Sequence, residues 1–352
     1  MKRFIQVGAG GWGWYWHTQV MSRLVRSGRA KCVAVVDKDP STFQPVCESY
    51  GLSTDNAYTD PEKAFGENSA DFVIIVCPPA HHEPYVDLAL HYGMDILSEK
   101  PIADTMEACC RIYKKVNNSG RKMAVTMSHR FDQDKQTLER LIKSGQYGGL
   151  DYLIARNTWT CRKFGTWGEF RYLMEDPLLI EATVHHFDCM RAFAGSNAGT
   201  VYARTWNPEW TEFKGHAQAM VTVEMENGVR VFYEGAKNNA SSLNDWTFDY
   251  WRAEMDKATL ELDNRKIRSM VGKLYRNATI QEIPLENQDN WMNPWLAELF
   301  LDWINGGAAP ENTLEDNIQC AALTFAAVLS AHTGQPVDVQ KFLVDHLKAV
   351  EV

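Results

Sequence analysis

The sequence predicts an α/β protein in two parts: a parallel-sheet domain wound on both faces, then an α+β domain with a large, open-faced, mostly antiparallel sheet. Three observations predict it. Short all-apolar runs alternate with helical stretches up to about residue 126, as parallel strands buried on both faces require. A glycine-rich turn, Gly8 to Gly13, follows the first of those runs. Beyond Thr126 the periodicity changes: Ala217, Ala219, Val221, Val223 and Met225 alternate with mostly polar neighbours, the pattern of a sheet with unlike faces. The domains are placed at 1–126 and 127–352, with the terminal helices free to pack back on the first.

The elements follow in order. Phe4 to Val7 is a short strand, and the helix after the glycine turn ends at Gly28. Cys32 to Val36 is the second strand. Pro40 opens a helix that Gly51 ends, and Asp60-Pro61 opens another. Phe72 to Val76 is a buried strand; helices at about 83–92 and 104–118 then alternate with strands at about 94–97 and 123–127. A helix at about 134–144 leads to a strand from Leu150 to Thr158, and a helix at about 177–193 ends at Gly195. Asn227-Gly228 turns a hairpin whose return strand is Val229 to Tyr233, and Asp263-Asn264 is read as closing a further one. Helices at about 294–305 and 315–333 finish the chain.

Composition narrows the function classes. At 352 residues, 45% hydrophobic and 23% charged, the chain is long enough for two cores. A net charge of −9 gives no electrostatic support for binding nucleic acid or an anionic membrane. Eight scattered Cys, none in Cys-x-x-Cys, read as small core residues of a reducing, cytoplasmic compartment. No apolar stretch approaches the ~18 residues of a transmembrane helix, and Gly8 interrupts any signal-peptide core.

Gly8-Ala9-Gly10-Gly11-Trp12-Gly13 fits G-x-G-x-x-G. Gly8 permits the tight turn, Gly10 lets backbone approach a pyrophosphate, and Gly13 lets helix and strand pack closely. The motif follows a strand and precedes a helix, and Asp37 ends the second strand about the expected ~20 residues on. This is a Rossmann-type dinucleotide site. Asp37 would accept hydrogen bonds from the ribose hydroxyls and repel a 2′-phosphate, favouring NAD over NADP, with Lys38 a nearby cation. Trp12, Trp14 and Trp16 are expected to pack helix on sheet, with Trp12 the one placed to reach the phosphates. Glu99-Lys100-Pro101 follows the apolar run Met94 to Leu97. It sets an amine at the carboxyl edge of the sheet, where it can exchange the proton that moves when an alcohol becomes a carbonyl.

Together these motifs resemble the Gfo/Idh/MocA family, the glucose-fructose oxidoreductase and inositol dehydrogenase type. Cys77-Pro78-Pro79-Ala80-His81-His82 resembles the family's Thr-Pro-x-x-x-His segment, with His82 at the His position. Gly93 to Pro101 resembles its Gly-x-x-Val-x-x-Glu-Lys-Pro stretch, and Arg130-Phe131 its Arg-Phe pair. Glu181 to Asp188 resembles its Asp-x-Gly-x-His-x-x-Asp helix, and Pro310-Glu311 with Asp316-Asn317 the lead-in to the last long helix. Glu181 stands where the polyol-oxidising members have Asp, and Thr183 where Gly is common, which puts inositol itself in doubt as substrate.

The resemblance implies a hydride transfer with Lys100 and His185 handling the proton and Glu181 orienting a neighbouring hydroxyl. It implies a cofactor site of the glycine loop (Gly8, Gly10, Gly11, Trp12, Gly13) with Asp37, Lys38, Cys77, Pro78, His82, Glu99 and Lys100. It implies a substrate site of Lys100, Arg130, Trp159, Trp167, Glu181 and His185, and a homodimer or homotetramer through the open sheet. Spacing puts Glu181 and His185 on one helical face. Trp159, Trp167, Trp206 and Trp210 offer ring faces for a sugar; Arg162, Lys163 and Arg171 offer cations for a carboxylate or phosphate on the substrate, with at least two of them read as a solvated face. No metal is expected, because adjacent histidines diverge and no nearby carboxylate or Cys spacing completes a site. The reading is an NAD-dependent dehydrogenase of a sugar, sugar acid, cyclitol or related polyol. Two alternatives stand beside it: an NAD-assisted glycoside hydrolase or lyase of the same fold, and a non-catalytic sugar or cofactor sensor, which would need neither Lys100 nor His185.

Overall fold

The structure is a computed structural model that describes residues 1–273 and 275–351. The chain divides into two compact units. One comprises Met1–Ser128, Asn290–Ile318 and the chain end from His346; the other comprises His129–Asp289 and Gln319–Asp345.

In the first unit, strands β1 (Lys2–Val7), β2 (Ala30–Val36), β3 (Ala57–Tyr58), β4 (Phe72–Ile75), β5 (Asp95–Ser98) and β6 (Met123–Val125) form a sheet in the order β3-β2-β1-β4-β5-β6. Every pair is parallel. All four residues of β4 are buried, so an apolar run is the only chemistry that strand tolerates. The order reverses between β1 and β4, which opens a crevice at the carboxyl ends of the strands. Gly8, Asp37, Cys77 and Glu99-Lys100 stand there, directly after β1, β2, β4 and β5. A later stretch seals this unit. Asn312 donates to the Val125 carbonyl at 2.6 Å and accepts from the Val125 N–H at 3.0 Å, covering the β6 edge. Phe300, on the helix Met292–Ile304, packs edge-on against Phe72 at 5.5 Å.

The second unit carries β7 (Leu150–Thr158), β8 (Ala198–Trp206), β9 (Gln218–Met225), β10 (Arg230–Ala236), β11 (Tyr250–Met255), β12 (Thr259–Asp263), β13 (Lys266–Val271), β14 (Thr279–Ile283) and β15 (Val337–Asp338). Among the described residues their order is β14-β13-β12-β11-β7-β10-β9-β8-β15, antiparallel except for the β7/β10 pair. One face is core: Val221, Val231, Tyr233 and Trp251 are buried, and Phe193 from the helix Val184–Ala194 meets Trp251 edge-on at 4.9 Å. The other face is open, with Met220 60% and Phe232 47% exposed.

Three sequence expectations change. The β12/β13 turn is Asn264-Arg265, both in the left-handed region, one residue beyond the expected Asp263-Asn264. The helix expected over 177–193 begins as a π-helical turn, Leu178–Thr183, before the α-helix. The strands β8, β11 and β14 and the helix Val339–Ala349 lie where no helix or strand was expected.

Candidate active site

In the first unit the glycine loop is dictated by steric room. Gly8 has φ +86°, and a Cβ there would lie 1.9 Å from the Val76 carbonyl oxygen; a Cβ on Gly13 would lie 2.4 Å from the Gly8 oxygen. The loop's exposed part, Gly10, Gly11 and Trp12, lies at the helix start, where a phosphate group would meet backbone N–H groups. Asp37 grips the loop from beneath. Its Oδ2 accepts from the Ala9 N–H at 2.7 Å and the Gly10 N–H at 3.2 Å, while Oδ1 accepts from the Asp39 N–H. Lys38 and Pro78 are exposed beside it. Burial pushes the Cys77 thiol up to about 12, so it is neutral.

His82 is fully buried. Its Nε2 lies 2.9 Å from the Cys77 carbonyl and its Nδ1 3.1 Å from the Ile102 carbonyl, so the ring braces the turn after β4 from within rather than presenting itself to a ligand. The tryptophans part ways. Trp16 is fully buried, whereas Trp14 is 55% exposed, contrary to the expectation that it packs helix on sheet. Trp12 and Trp16 both donate their indole N–H to Glu99 Oε1, at 2.7 and 2.6 Å. Short bonds to a buried carboxylate fix the residue that precedes Lys100. Lys100 itself is half-buried.

In the second unit, Glu181 sits in the π-helical turn, 3% exposed. Its Oε2 accepts from Arg171 Nε at 3.1 Å and meets Nη2 at 2.9 Å. Arg171, one of the three cations of this loop, lies over the Trp167 and Phe170 rings at 5.0 and 4.5 Å. Lys163 does face solvent, paired with Glu212, and Arg162 lies over the exposed Trp210. Trp206 is 40% exposed. Trp159 and Trp167 pack against the buried cluster of Cys161, Tyr172, Phe213 and Ala217.

His185 is 2% exposed, its ring stacked on His129 at 4.3 Å, with Trp246 edge-on to both. His129 escaped the sequence reading, although it directly precedes Arg130-Phe131. Arg130 departs from its expected role. Its guanidinium is buried and forks onto Asp188, Nε to Oδ2 at 3.0 Å and Nη2 to Oδ1 at 2.7 Å, which engages it with protein rather than substrate.

Asp249, which no local motif marks, anchors a second cluster. It is fully buried; Oδ1 accepts from Asn157 Nδ2 at 2.6 Å and is hydrogen-bonded to His186 Nε2 at 3.0 Å. Oδ2 lies 3.2 Å from Lys135 Nζ and 3.6 Å from His129 Nδ1. His129, His186 and Asp249 thus converge, their ligand atoms within 4.8 Å, although no local spacing announces it. The cation lodged against this cluster is the ammonium of Lys135, which also lies 3.2 Å from Asp134 Oδ1. Burial opposes ionisation of Asp249, yet Lys135 and then His186 hold its carboxyl well below the usual range. Burial pushes His129 down to about 3, with Lys135 and His186 adding to the fall, so its ring is neutral at physiological pH.

Comparison with known proteins agrees with this architecture. The Gfo/Idh/MocA oxidoreductase-family model for the NAD-binding Rossmann fold matches residues 2–127, and that for the C-terminal alpha/beta domain matches residues 140–339. The chain is 41% identical over 347 residues to the uncharacterized protein y4oX of Sinorhizobium fredii, covering 97% of this chain and 96% of that one. It is 27% identical over 240 residues to inositol 2-dehydrogenase of Corynebacterium glutamicum, 66% of this chain and 67% of that protein. An oxidoreductase from Agrobacterium radiobacter, solved in complex with NAD+, L-tartaric acid and magnesium, shares the fold with TM-score 0.81 at 19% identity, covering 97% of this chain and 99% of that one.

Proposed function

The chain belongs to the Gfo/Idh/MocA family of NAD-binding oxidoreductases, and from that premise we propose that it oxidises a secondary hydroxyl of a sugar, sugar acid, cyclitol or related polyol. The observation that carries the proposal is the carboxyl edge of the first sheet. There a glycine turn in which a Cβ on Gly8 or Gly13 would strike backbone, the loop-bound Asp37 and the Glu99-Lys100 pair follow β1, β2 and β5. NAD, when bound, accepts hydride at C4 of its nicotinamide ring. The loop backbone from Gly8 to Gly13 holds the pyrophosphate, and Asp37 reads the ribose while keeping the loop in shape. Lys38, Cys77 and Pro78 line the same edge, and His82 supports it from inside.

Lys100, set by the Trp-clamped Glu99, exchanges the hydroxyl proton, and His185 is the base that relays it. Glu181, oriented by Arg171, accepts a hydrogen bond from a neighbouring substrate hydroxyl, and Trp159 and Trp167 give the sugar its ring faces. On this reading residues 1–126 are the cofactor domain and 127–352 the substrate domain, of a cytoplasmic homodimer or homotetramer paired through the open sheet.

The test is a panel of sugars, polyols and sugar acids with NAD, followed by NADH absorbance. Lys100→Met should lower turnover about 10²-fold or more while leaving NAD affinity largely intact. Near-native turnover in the variant, or no NADH from any member of the panel, would remove the assignment.

A further inference from the structure

We propose that Trp12 and Glu99 make the cofactor site select between the two redox forms of its dinucleotide, holding the cationic nicotinamide ring of NAD+ more tightly than the neutral ring of NADH. This selection rests on one part of the dehydrogenase reading, that the glycine loop takes NAD, and not on the substrate.

Topology says which half of a dinucleotide meets these residues. The sheet order β3-β2-β1-β4-β5-β6 reverses between β1 and β4, and a dinucleotide lies across that crevice. Asp37, the proposed ribose acceptor, follows β2 on one side, and the glycine loop after β1 takes the phosphates in the middle. The nicotinamide half therefore falls on the side of β4 and β5, where Glu99 follows β5. Trp12 joins these two places. It belongs to the glycine loop, yet its indole N–H donates to Glu99 Oε1 at 2.7 Å, 87 positions further along the chain. The ring thus reaches from the phosphate turn to the end of β5.

That indole is fixed without being covered. One face stacks on Tyr15, with centroids 4.5 Å apart and planes 18° from parallel, and the N–H edge is tied to Glu99. The ring is still 47% exposed, whereas Trp16, bonded to the same carboxylate oxygen, is fully buried. Packing of helix on sheet accounts for Trp16 and leaves the open ring of Trp12 unexplained. Beside that ring stands a negative charge. Glu99 is 8% exposed, and its hydrogen-bond donors are neutral: the two indoles and the Lys100 backbone N–H at 3.3 Å. Among the described residues it makes no ion pair. NAD+ carries a positive charge spread over its nicotinamide ring, and NADH does not. A cation over an indole face is drawn to the ring's quadrupole, and a carboxylate held out of water attracts it further. Ring stacking serves both forms alike, so the difference between them falls on the charge.

The experiment is calorimetric titration of the full-length protein with NAD+, NADH and ADP-ribose, the last lacking the nicotinamide. The native protein should bind NAD+ about threefold or more tightly than NADH. Trp12→Leu, on an exposed side chain, should reduce that preference about threefold or more and leave ADP-ribose affinity within about twofold of native. Glu99→Gln, which keeps an acceptor for both indoles, should reduce the preference as well, with ADP-ribose binding as the check on folding. Native binding of NADH as tight as that of NAD+, or an unchanged preference in either variant, overturns the proposal. An ADP-ribose loss in Trp12→Leu as large as the NAD+ loss also overturns it, because Trp12 would then serve the phosphates or the loop. Failure of all three probes to bind the native protein would remove the NAD reading and this inference with it. A preference for NAD+ that depends on Trp12, with no NADH formed from any sugar or polyol, would leave this inference standing and remove only the proposed oxidation.

Discussion

Lys135→Met is the most informative perturbation of the second unit. Lys135 is completely buried. Its ammonium lies 3.2 Å from Asp249, 3.2 Å from Asp134 and 3.7 Å from Asp132, and donates to the Thr247 carbonyl at 2.9 Å. Arg265 also pairs with Asp132, so that carboxylate keeps a cation in the variant. Asp249 keeps His186 and Asp134 keeps a weaker pull from Arg265, so both lose their main cation. Removing one partner of a buried ion pair costs about 3–5 kcal/mol, which for a unit of this size lowers the melting temperature by about 6–20 °C at neutral pH.

The pH dependence has a definite sign. In the native protein Asp249 is held low, so its contribution is present above the unfolded carboxylate value and lost as pH falls below it. Asp134 works the other way: burial raises it to about 6 even beside Lys135, so its contribution is lost as pH climbs through that value. Without Lys135 both carboxyls are pushed up, and the variant loses stability as pH rises. The native-minus-variant gap should therefore widen from about pH 4 to pH 7. Differential scanning calorimetry across that range reads it directly. A drop below about 2 °C at pH 7, or a gap that does not change with pH, would refute the picture of Lys135 as the shared internal cation.

Three further outcomes are expected. Gly8→Ala should abolish NAD binding, because its Cβ would sit 1.9 Å from a backbone oxygen that cannot move without breaking the β1/β4 pairing; calorimetric NAD affinity within tenfold of native would contradict this. Asp37→Ala should weaken NAD about tenfold and relax the preference over NADP, since it removes both the proposed ribose acceptor and the grip on Ala9 and Gly10; equal NADP affinity in the native protein would undo the assignment. The His129 ring, held down to about 3, should stay neutral in NMR titration from pH 8 to 5. Because its folded value lies below the unfolded one of about 6.5, it should contribute to acid lability as pH falls below that value, and a ring that titrates near 6.5 would disprove its burial against Lys135.

The cofactor half of the protein was legible from local sequence because its chemistry is local. A parallel strand buried on both faces must be apolar throughout, and Phe72 to Ile75 is. The turn after β1 leaves no room for a Cβ, so glycine is obligatory there. Residues at strand ends fall at the carboxyl edge whatever the rest of the chain does, and that placed Asp37 and Lys100. Even the alternation that predicted the second sheet is a two-residue rule.

The interior of the second unit obeys no such rule. His129, Lys135, Asn157, His186 and Asp249 are scattered over more than a hundred positions, and only the folded chain brings them together. Arg130 looked like a substrate ligand until Asp188 claimed it, and nothing local told which of Arg162, Lys163 and Arg171 would leave solvent for Glu181. A buried charge is stable only beside its partner, and the sequence does not say which partner the fold supplies. Periodicity and steric room thus determined the sheets and the cofactor edge. Tertiary structure decided which charges are buried and which partner neutralises each of them.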